Sequence, residues 1–173
     1  MMPIRFIVQL KNDPDAFERF AGLTRRRGFI IQSLSRGERH DDPTLRITIE
    51  IETNGEAASR LQAFLNRLPG VKQVDTTSSR GCLLREFAIV KVATTSDERA
   101  EIMQIARVFR ARIIDMTRGS MILETTGSAA KIHALIEALA VYGIIEVART
   151  GAIAIFRGMK TTEDVTSNLS VDV

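Results

Sequence analysis

The order strand, helix, strand, strand, helix, strand is predicted twice along this chain of 173 residues. In Leu45–Glu52 apolar residues alternate with polar ones, which is typical of a strand with one buried face. The segment MQIARVFRARIIDMTR (Met103–Arg118) echoes the earlier FAGLTRRRGFIIQSLS (Phe20–Ser35), with an arginine-rich helix end before an Ile-Ile pair. The repeat predicts an α+β fold of two consecutive ferredoxin-like βαββαβ domains, each an antiparallel sheet with helices on one face.

Apolar periodicity and turn residues give the expected boundaries of these elements. The first copy is expected to contain strands Ile4–Leu10, Phe29–Arg36, Leu45–Glu52 and Val71–Thr76, and helices Asp15–Arg27 and Glu56–Leu68. The second copy is expected to contain strands Phe87–Ala93, Ile113–Thr117, Ser120–Thr125 and Ile144–Phe156, and helices Asp97–Arg110 and Ser128–Ala140. A polar loop is expected at Gly37–Pro43 and a small, polar linker at Thr76–Cys82.

These elements predict one domain at residues 4–78, a second at 84–160 and a flexible tail at 161–173. A domain of about 75 residues buries only about 60 to 65% of the surface that its unfolded chain exposes, so each is marginal by itself. Pairing through an edge strand, or covering a bare sheet face, would add stability. We therefore expect a homodimer.

Charge and composition argue against nucleic-acid and membrane partners. Lysine and arginine number 24 against 21 acidic residues, a net charge of +3, which is too small to indicate a nucleic-acid or membrane surface. The βαββαβ order also occurs in RNA-binding domains, but these need aromatic residues on the central strands, and Leu45–Glu52 has none. No apolar run reaches about 18 residues and no signal peptide is apparent, so a cytoplasmic protein is expected.

No combination of residues predicts catalysis or a metal site. His40 and His133 are interpreted as surface histidines, since their positions lack the spacing of metal ligands. Cys82, the single cysteine, is interpreted as an inert thiol. Asp41-Asp42 fits a solvated turn, and Arg25-Arg26-Arg27 fits favourable positive charge at a helix C-terminus rather than an anion patch.

The best candidate for a ligand site is the turn Asn12-Asp13-Pro14-Asp15, which leads from a strand into a helix. A strand, a tight turn and a helix N-terminus together form a natural anion site, because the first N–H groups of the helix lack partners. Asp15, however, places a carboxylate at that position, where it could itself cap the helix.

Several segments resemble the small, regulatory subunit of acetohydroxyacid (acetolactate) synthase, whose N-terminal half is an ACT domain. In the first half these are VQLKNDPDAFERFAGLTRRRGFIIQSL and DDPTLRITIEI; in the second, REFAIVKV, FRARIIDMT and IIEVARTGAIAIFRG. The resemblance covers about residues 4–160, and the motifs of both halves occur in order.

The resemblance implies a protein without catalysis of its own and without a bound cofactor. Such a subunit binds and activates a larger catalytic subunit that holds thiamine diphosphate, magnesium and FAD. It also confers feedback inhibition by valine or a related branched-chain amino acid. The family's effector site lies between two ACT domains, at the strand-to-helix turn of one protomer and the start of the second strand of the other. The corresponding positions here are Asn12, Asp13, Pro14, Asp15, Ala16, Phe17, Ile30 and Ile31.

Two of these positions depart from the family pattern. Asp15 stands where the family has glycine, and Ile30 stands where it has asparagine. The Asp15 carboxylate would repel a ligand carboxylate, and Ile30 lacks an amide that could hydrogen-bond the ligand. The sequence therefore predicts activation with a weak valine response. Two alternatives concern the turn: it is shifted and binds another effector, or the Asp15 side chain is directed to solvent. A third concerns the whole protein, which would be a free-standing ACT-type sensor without an enzyme partner. Nothing in the sequence favours an enzyme in its own right.

Overall fold

The computed structural model describes residues 2–39, 42–77 and 81–158. By their contacts these residues form two compact units. The first contains the described residues up to Leu83 together with residues 151–158, and the second is Leu84–Thr150. Each unit has an antiparallel sheet and two α-helices in the order βαββαβ, which confirms the predicted pair of ferredoxin-like domains.

The first unit is built on a four-stranded sheet with the order β2-β3-β1-β4. Its elements are β1 (Met2–Lys11), α1 (Pro14–Arg26), β2 (Ile31–Arg39), β3 (Asp42–Thr53), α2 (Gly55–Asn66) and β4 (Val71–Thr77). The apolar residues of β3 and of both helices meet in one core, as their spacing predicts. Its fully buried members include Ile47, Ile49, Phe20 and Leu61, each 0% exposed.

The second unit has the strand order β6-β7-β5-β8. Its elements are β5 (Cys82–Ala93, of which the first two residues belong to the first unit), α3 (Arg99–Val108), β6 (Arg112–Met116), β7 (Ser120–Gly127), α4 (Ala129–Leu139), a 3-10 turn (Ala140–Tyr142) and β8 (Ile144–Arg149). Val90 and Leu123 of adjacent strands pack with Ile102 and Leu135 of the two helices to form a separate core.

The largest differences between the sequence-based boundaries and the structure are at a loop, a linker and the last strand. The expected loop Gly37–Pro43 is largely strand, because β2 and β3 continue their pairing as far as Arg39 and Asp42. The expected linker is shorter, since Thr76 and Thr77 belong to β4 and Cys82 begins β5. The expected strand Ile144–Phe156 is two strands, β8 and β9 (Ile153–Phe156).

Residues 151–158, which follow β8, belong to a different unit from the one expected. We expected them in a domain spanning 84–160, but their contacts place them with the first unit. The Ser35 Oγ donates a hydrogen bond to the Ala152 carbonyl at 2.7 Å, and the Arg157 N–H donates to the Gly81 carbonyl at 3.1 Å. Both contacts lie within the first unit.

Segment 151–154 lies over part of the β3 face that its alternating pattern predicts to be exposed. Thr48, on the side opposite the helices, is only 5% exposed. Ser35 pairs with Thr48 across the sheet, and the Ser35 hydroxyl reaches Ala152, so the chain passes over this side. This face of β3 is therefore covered at Thr48, whereas Glu52 on the same side is exposed.

Several predictions concern residues outside the described ranges. His40, Asp41, the middle of the linker and the tail 161–173 belong to this group. Within the ranges that are described, no helix has the length and apolarity needed to cross a membrane.

Candidate functional site

The predicted turn between β1 and α1 is fixed by backbone contacts. The Asp13 N–H donates to the Lys11 carbonyl at 2.8 Å, and the Lys11 N–H donates to the Gly70 carbonyl at 2.7 Å. Gly70 has a φ of 92°, and a Cβ at this position would lie 2.8 Å from the Ala16 Cβ. Glycine at 70 therefore allows the chain entering β4 to lie directly against the start of α1.

Asp13, and not Asp15, caps the helix. Asp13 Oδ1 accepts a hydrogen bond from the Asp15 N–H at 3.0 Å, and the Asp13 carbonyl accepts from the N–H groups of Ala16 and Phe17 at 3.1 and 3.3 Å. Pro14, at the first helical position, has no N–H to offer. The N–H groups of the first helical residues are thus already engaged by the chain itself, and a ligand carboxylate would have to compete with Asp13 for them.

The Asp15 side chain is exposed and makes no hydrogen bond or ion pair with any other described residue. The possibility that Asp15 caps the helix is contradicted, because Asp15 lies two residues after Asp13, which occupies the N-cap position. The alternative in which the side chain is directed to solvent matches the structure. Its charge still lies beside the positive end of α1.

The other turn residues divide between surface and core. Asn12 is exposed, and its Oδ1 accepts a hydrogen bond from Arg36 Nη2 at 3.5 Å. Ala16 is 1% exposed, and Phe17 packs against the first core with its ring 6.2 Å from that of Phe20. Ala16 and Phe17 therefore hold the helix on the sheet, and only the Asn12–Asp15 part of the turn faces solvent.

The start of β2 carries the other predicted residues. Ile30 is 72% exposed, whereas Ile31 is partly buried against the first core. The preceding helix ends in a left-handed Gly28 with a φ of 75°, and the Phe29 N–H returns to the Thr24 carbonyl at 3.1 Å. This cap turns the chain sharply into β2 and leaves the Ile30 side chain in solvent.

One chain does not bring the two halves of the predicted site together. Ile31 pairs with Ile51, which pairs with Ile4, whereas Lys11 at the other end of β1 pairs with Thr44. From Ile4 to Lys11 a strand extends about 23 Å, at about 3.3 Å a residue. The turn and Ile30 therefore lie at opposite ends of the same sheet.

The buried carboxyl group of Asp75 lies on the face of the first sheet opposite the helices, and it was not predicted from the sequence. Asp75 is 7% exposed, and its Oδ2 accepts a hydrogen bond from Gln73 Nε2 at 2.9 Å. Burial raises the pKa of Asp75, while the nearby Arg46 opposes that shift. Burial likewise raises the pKa of the Cys82 thiol, which is 3% exposed and agrees with an unreactive cysteine.

The remaining candidates give no second site. The exposed His133 lies 3.3 Å from Glu137 one helical turn away, a surface arrangement. Across the described ranges no three His, Cys, Asp or Glu side chains are grouped to hold a metal ion. Arg27, the last of the arginine triplet, has its guanidinium carbon 3.8 Å above the Phe64 ring, so part of that triplet joins α1 to α2.

A shallow depression on the exposed face of the second sheet was also missed by sequence reasoning. It is lined by Ile89, Lys91, Ile122, Glu146 and Ala148. In the sequence of β5, Ile89 and Lys91 alternate with the core residues Val90 and Val92, which indicates that they lie on the opposite face of the sheet. This lining combines apolar side chains with one lysine and one glutamate, and the combination does not indicate a particular kind of ligand.

Comparison with known proteins agrees across both units. A family model described as the small subunit of acetolactate synthase matches residues 85–158, and an ACT domain model matches residues 12–74. A probable acetolactate synthase small subunit from Archaeoglobus fulgidus is 39% identical over 88% of this chain and 96% of that protein. The acetolactate synthase small subunit of Bacillus subtilis is 34% identical over 94% of each chain.

A solved structure agrees with the sequence relatives. The crystal structure of the acetolactate synthase small subunit from Thermotoga maritima superposes with a TM-score of 0.83 and 28% sequence identity, covering 92% of this chain and all of that one. The similarity therefore extends over both units and both sets of motifs. The chain belongs to the acetolactate synthase small subunit family.

Proposed function

We propose that this chain is a non-catalytic regulatory subunit of acetolactate synthase in branched-chain amino-acid biosynthesis. It binds the large catalytic subunit and raises the rate at which that subunit forms acetolactate. Thiamine diphosphate, magnesium and FAD are expected on the catalytic subunit. The observation that carries the proposal is the similarity to small subunits over nearly the whole length of both chains.

We further propose that the ACT domains form a homodimer and that the effector site is complete only there. The two predicted halves of the site lie at opposite ends of one sheet, so one copy cannot supply both to one ligand. β2 is an edge strand of the described sheet. When two β2 strands pair antiparallel, the start of one lies beside the end of the other. This arrangement brings the partner's Ile30 towards the Asn12 turn.

A weak valine response is the third element of the proposal. Asp13 already engages the Asp15 N–H and caps the helix, and Asp15 adds an exposed negative charge beside it. Two like charges 4 Å apart in water repel by about 1 kcal/mol, which lowers affinity about fivefold. At Ile30 the ligand meets a hydrocarbon side chain, and an unmet polar group of a buried ligand costs a further 1–3 kcal/mol, roughly.

The test is the acetolactate-forming rate of the cognate catalytic subunit, titrated with this chain with and without valine. The expected result is activation by the wild-type chain with little inhibition by valine. The double variant Asp15→Gly, Ile30→Asn is expected to gain inhibition. Asp15→Asn, which removes the charge but keeps the side chain, separates repulsion from lack of space.

Each outcome decides one part of the proposal. Activation with strong inhibition by valine would keep the regulatory function and overturn the weak response. No change in rate and no complex between the two chains would overturn the regulatory function. If the chain alone then formed a homodimer in analytical ultracentrifugation and bound valine in calorimetry, a free-standing ACT-type sensor would be favoured.

A further inference from the structure

Residues 151–154, called here the brace segment, approach the backbone of β2 too closely for a side chain at position 151. A Cβ placed on Gly151 would lie 2.8, 2.9 and 3.0 Å from the C, O and N atoms of Leu34. Real Cβ atoms essentially never approach other atoms this closely. Because the three neighbours are backbone atoms, they cannot rotate away, and either the brace segment or β2 would have to move.

The next residue of the brace segment holds the same strand by a hydrogen bond. Ser35 Oγ donates to the Ala152 carbonyl at 2.7 Å. Ala152 and Ala154 are 3% and 1% exposed, while Ile153 between them is 60% exposed. The side of the brace segment that faces the rest of the first unit therefore carries small residues, which allow the segment to lie close to β2.

The strand that receives these contacts lies at the edge of its sheet. Among the described strands β2 pairs only with β3, and the register of that pairing shifts between Ile31 and Ser33. Ile30, proposed above as an effector-site residue, directly precedes this irregular stretch. A contact at Leu34 and Ser35 therefore acts next to one of the two points at which the register of β2 against β3 shifts; the other lies between Glu38 and Arg39.

We infer that the brace segment fixes the position of β2, and that Gly151 and Ser35 are positioning residues for the strand that leads from Ile30. The effect on the effector site rests on the proposed function. The effect on β2 itself does not, since it follows from the contacts of Gly151 and Ser35 alone.

Hydrogen exchange of the full-length chain, followed by mass spectrometry, tests the effect on β2. Gly151→Ala is expected to speed amide exchange in residues 31–37 by about tenfold or more, since an extra methyl group in a filled space commonly costs this much. Ser35→Ala, which adds no atoms, is expected to give a smaller increase of about two- to tenfold.

Two matched variants serve as controls. Gly119→Ala adds a Cβ where no atom lies within 4 Å. Ser33→Ala removes a hydroxyl from the same side of β2, and the Ser33 hydroxyl makes no hydrogen bond within the described chain. Neither control is expected to change exchange in β2. Unchanged exchange in both Gly151→Ala and Ser35→Ala would overturn the inference, as would an equal rise in β1 and β3.

Activation and valine inhibition then separate this inference from the proposed function. If the brace segment acts on the effector site, Ser35→Ala should change the inhibition constant for valine in the Asp15→Gly, Ile30→Asn background. Activation should stay unchanged. Faster exchange in β2 without any activation by the wild-type chain would support the brace and overturn the regulatory function. Faster exchange with an unchanged inhibition constant would overturn its effect on the effector site.

Discussion

Asp13 Oδ1 lies 3.0 Å from the backbone nitrogen of Asp15 and accepts its hydrogen bond. The two carboxylates of this turn therefore have different roles, although they are only two residues apart. Asp13 belongs to the helix cap, and Asp15 is a surface charge. A ligand at this turn would meet a helix end that is already capped.

The difference predicts unequal effects on stability. Asp13→Ala is expected to lower the free energy of unfolding by about 1 kcal/mol, because an N-cap hydrogen bond is lost. Asp15→Ala is expected to change it by less than about 0.5 kcal/mol, as for other exposed positions without partners. Urea denaturation of the two variants gives the comparison. Equal losses would contradict the assignment of the cap.

Ile30 is expected to lie in the interface of the proposed homodimer. Since an unpaired charge is costly to bury, Ile30→Lys is expected to raise the dimer dissociation constant about tenfold or more in analytical ultracentrifugation. Val108→Lys is the control, because Val108 is similarly exposed, at 78% against 72%, but lies on α3 of the second unit. An unaltered dimer in Ile30→Lys would exclude this part of β2 from the interface.

Arg27 is expected to contribute more to stability than its neighbour Arg25. Its guanidinium carbon lies 3.8 Å above the Phe64 ring, and an exposed contact of this kind contributes about 0.5–1 kcal/mol. Arg25→Ala removes the same charge from the last turn of α1 and is the matched control. Thermal or urea unfolding should show the larger loss for Arg27→Ala. The reverse order would contradict a specific role for the contact.

Asp75 is expected to make stability depend on pH. Burial raises its pKa above the usual 3.8, so the folded state holds a proton more tightly than the unfolded state does. The resulting stability is complete below pH 3.8 and is lost as the pH rises through the raised pKa. At neutral pH, Asp75→Asn is therefore expected to be more stable than the wild-type chain.

The comparison requires unfolding curves from pH 4 to 8 for the wild-type chain and for Asp75→Asn. The stability difference between the two should grow with pH. The amide oxygen of Asn can still accept the hydrogen bond from Gln73. A variant that is less stable at pH 7 would mean that attraction to Arg46 outweighs the cost of burial.

Local patterns were sufficient to predict the repeated fold. Alternating residues in Leu45–Glu52 and the helical spacing of Ala58, Leu61 and Leu65 identify which faces are buried, because burial requires apolar side chains at the period of the element. The motifs of both halves also identified the family. These signals depend on neighbours along the chain, which a sequence displays directly.

Tertiary structure decided what those patterns leave open. The sequence places two aspartates in one turn, but only backbone geometry assigns the cap to Asp13. The family resemblance predicts that Ile30 and the Asn12 turn belong to one site shared by two protomers, and only strand register shows that within one chain they lie at opposite ends of the sheet. The sequence shows Gly151 as one of eleven glycines, and only its approach to Leu34 reveals why a side chain would not fit. In each case the deciding contact joins residues whose relative position depends on the folded backbone rather than on local spacing.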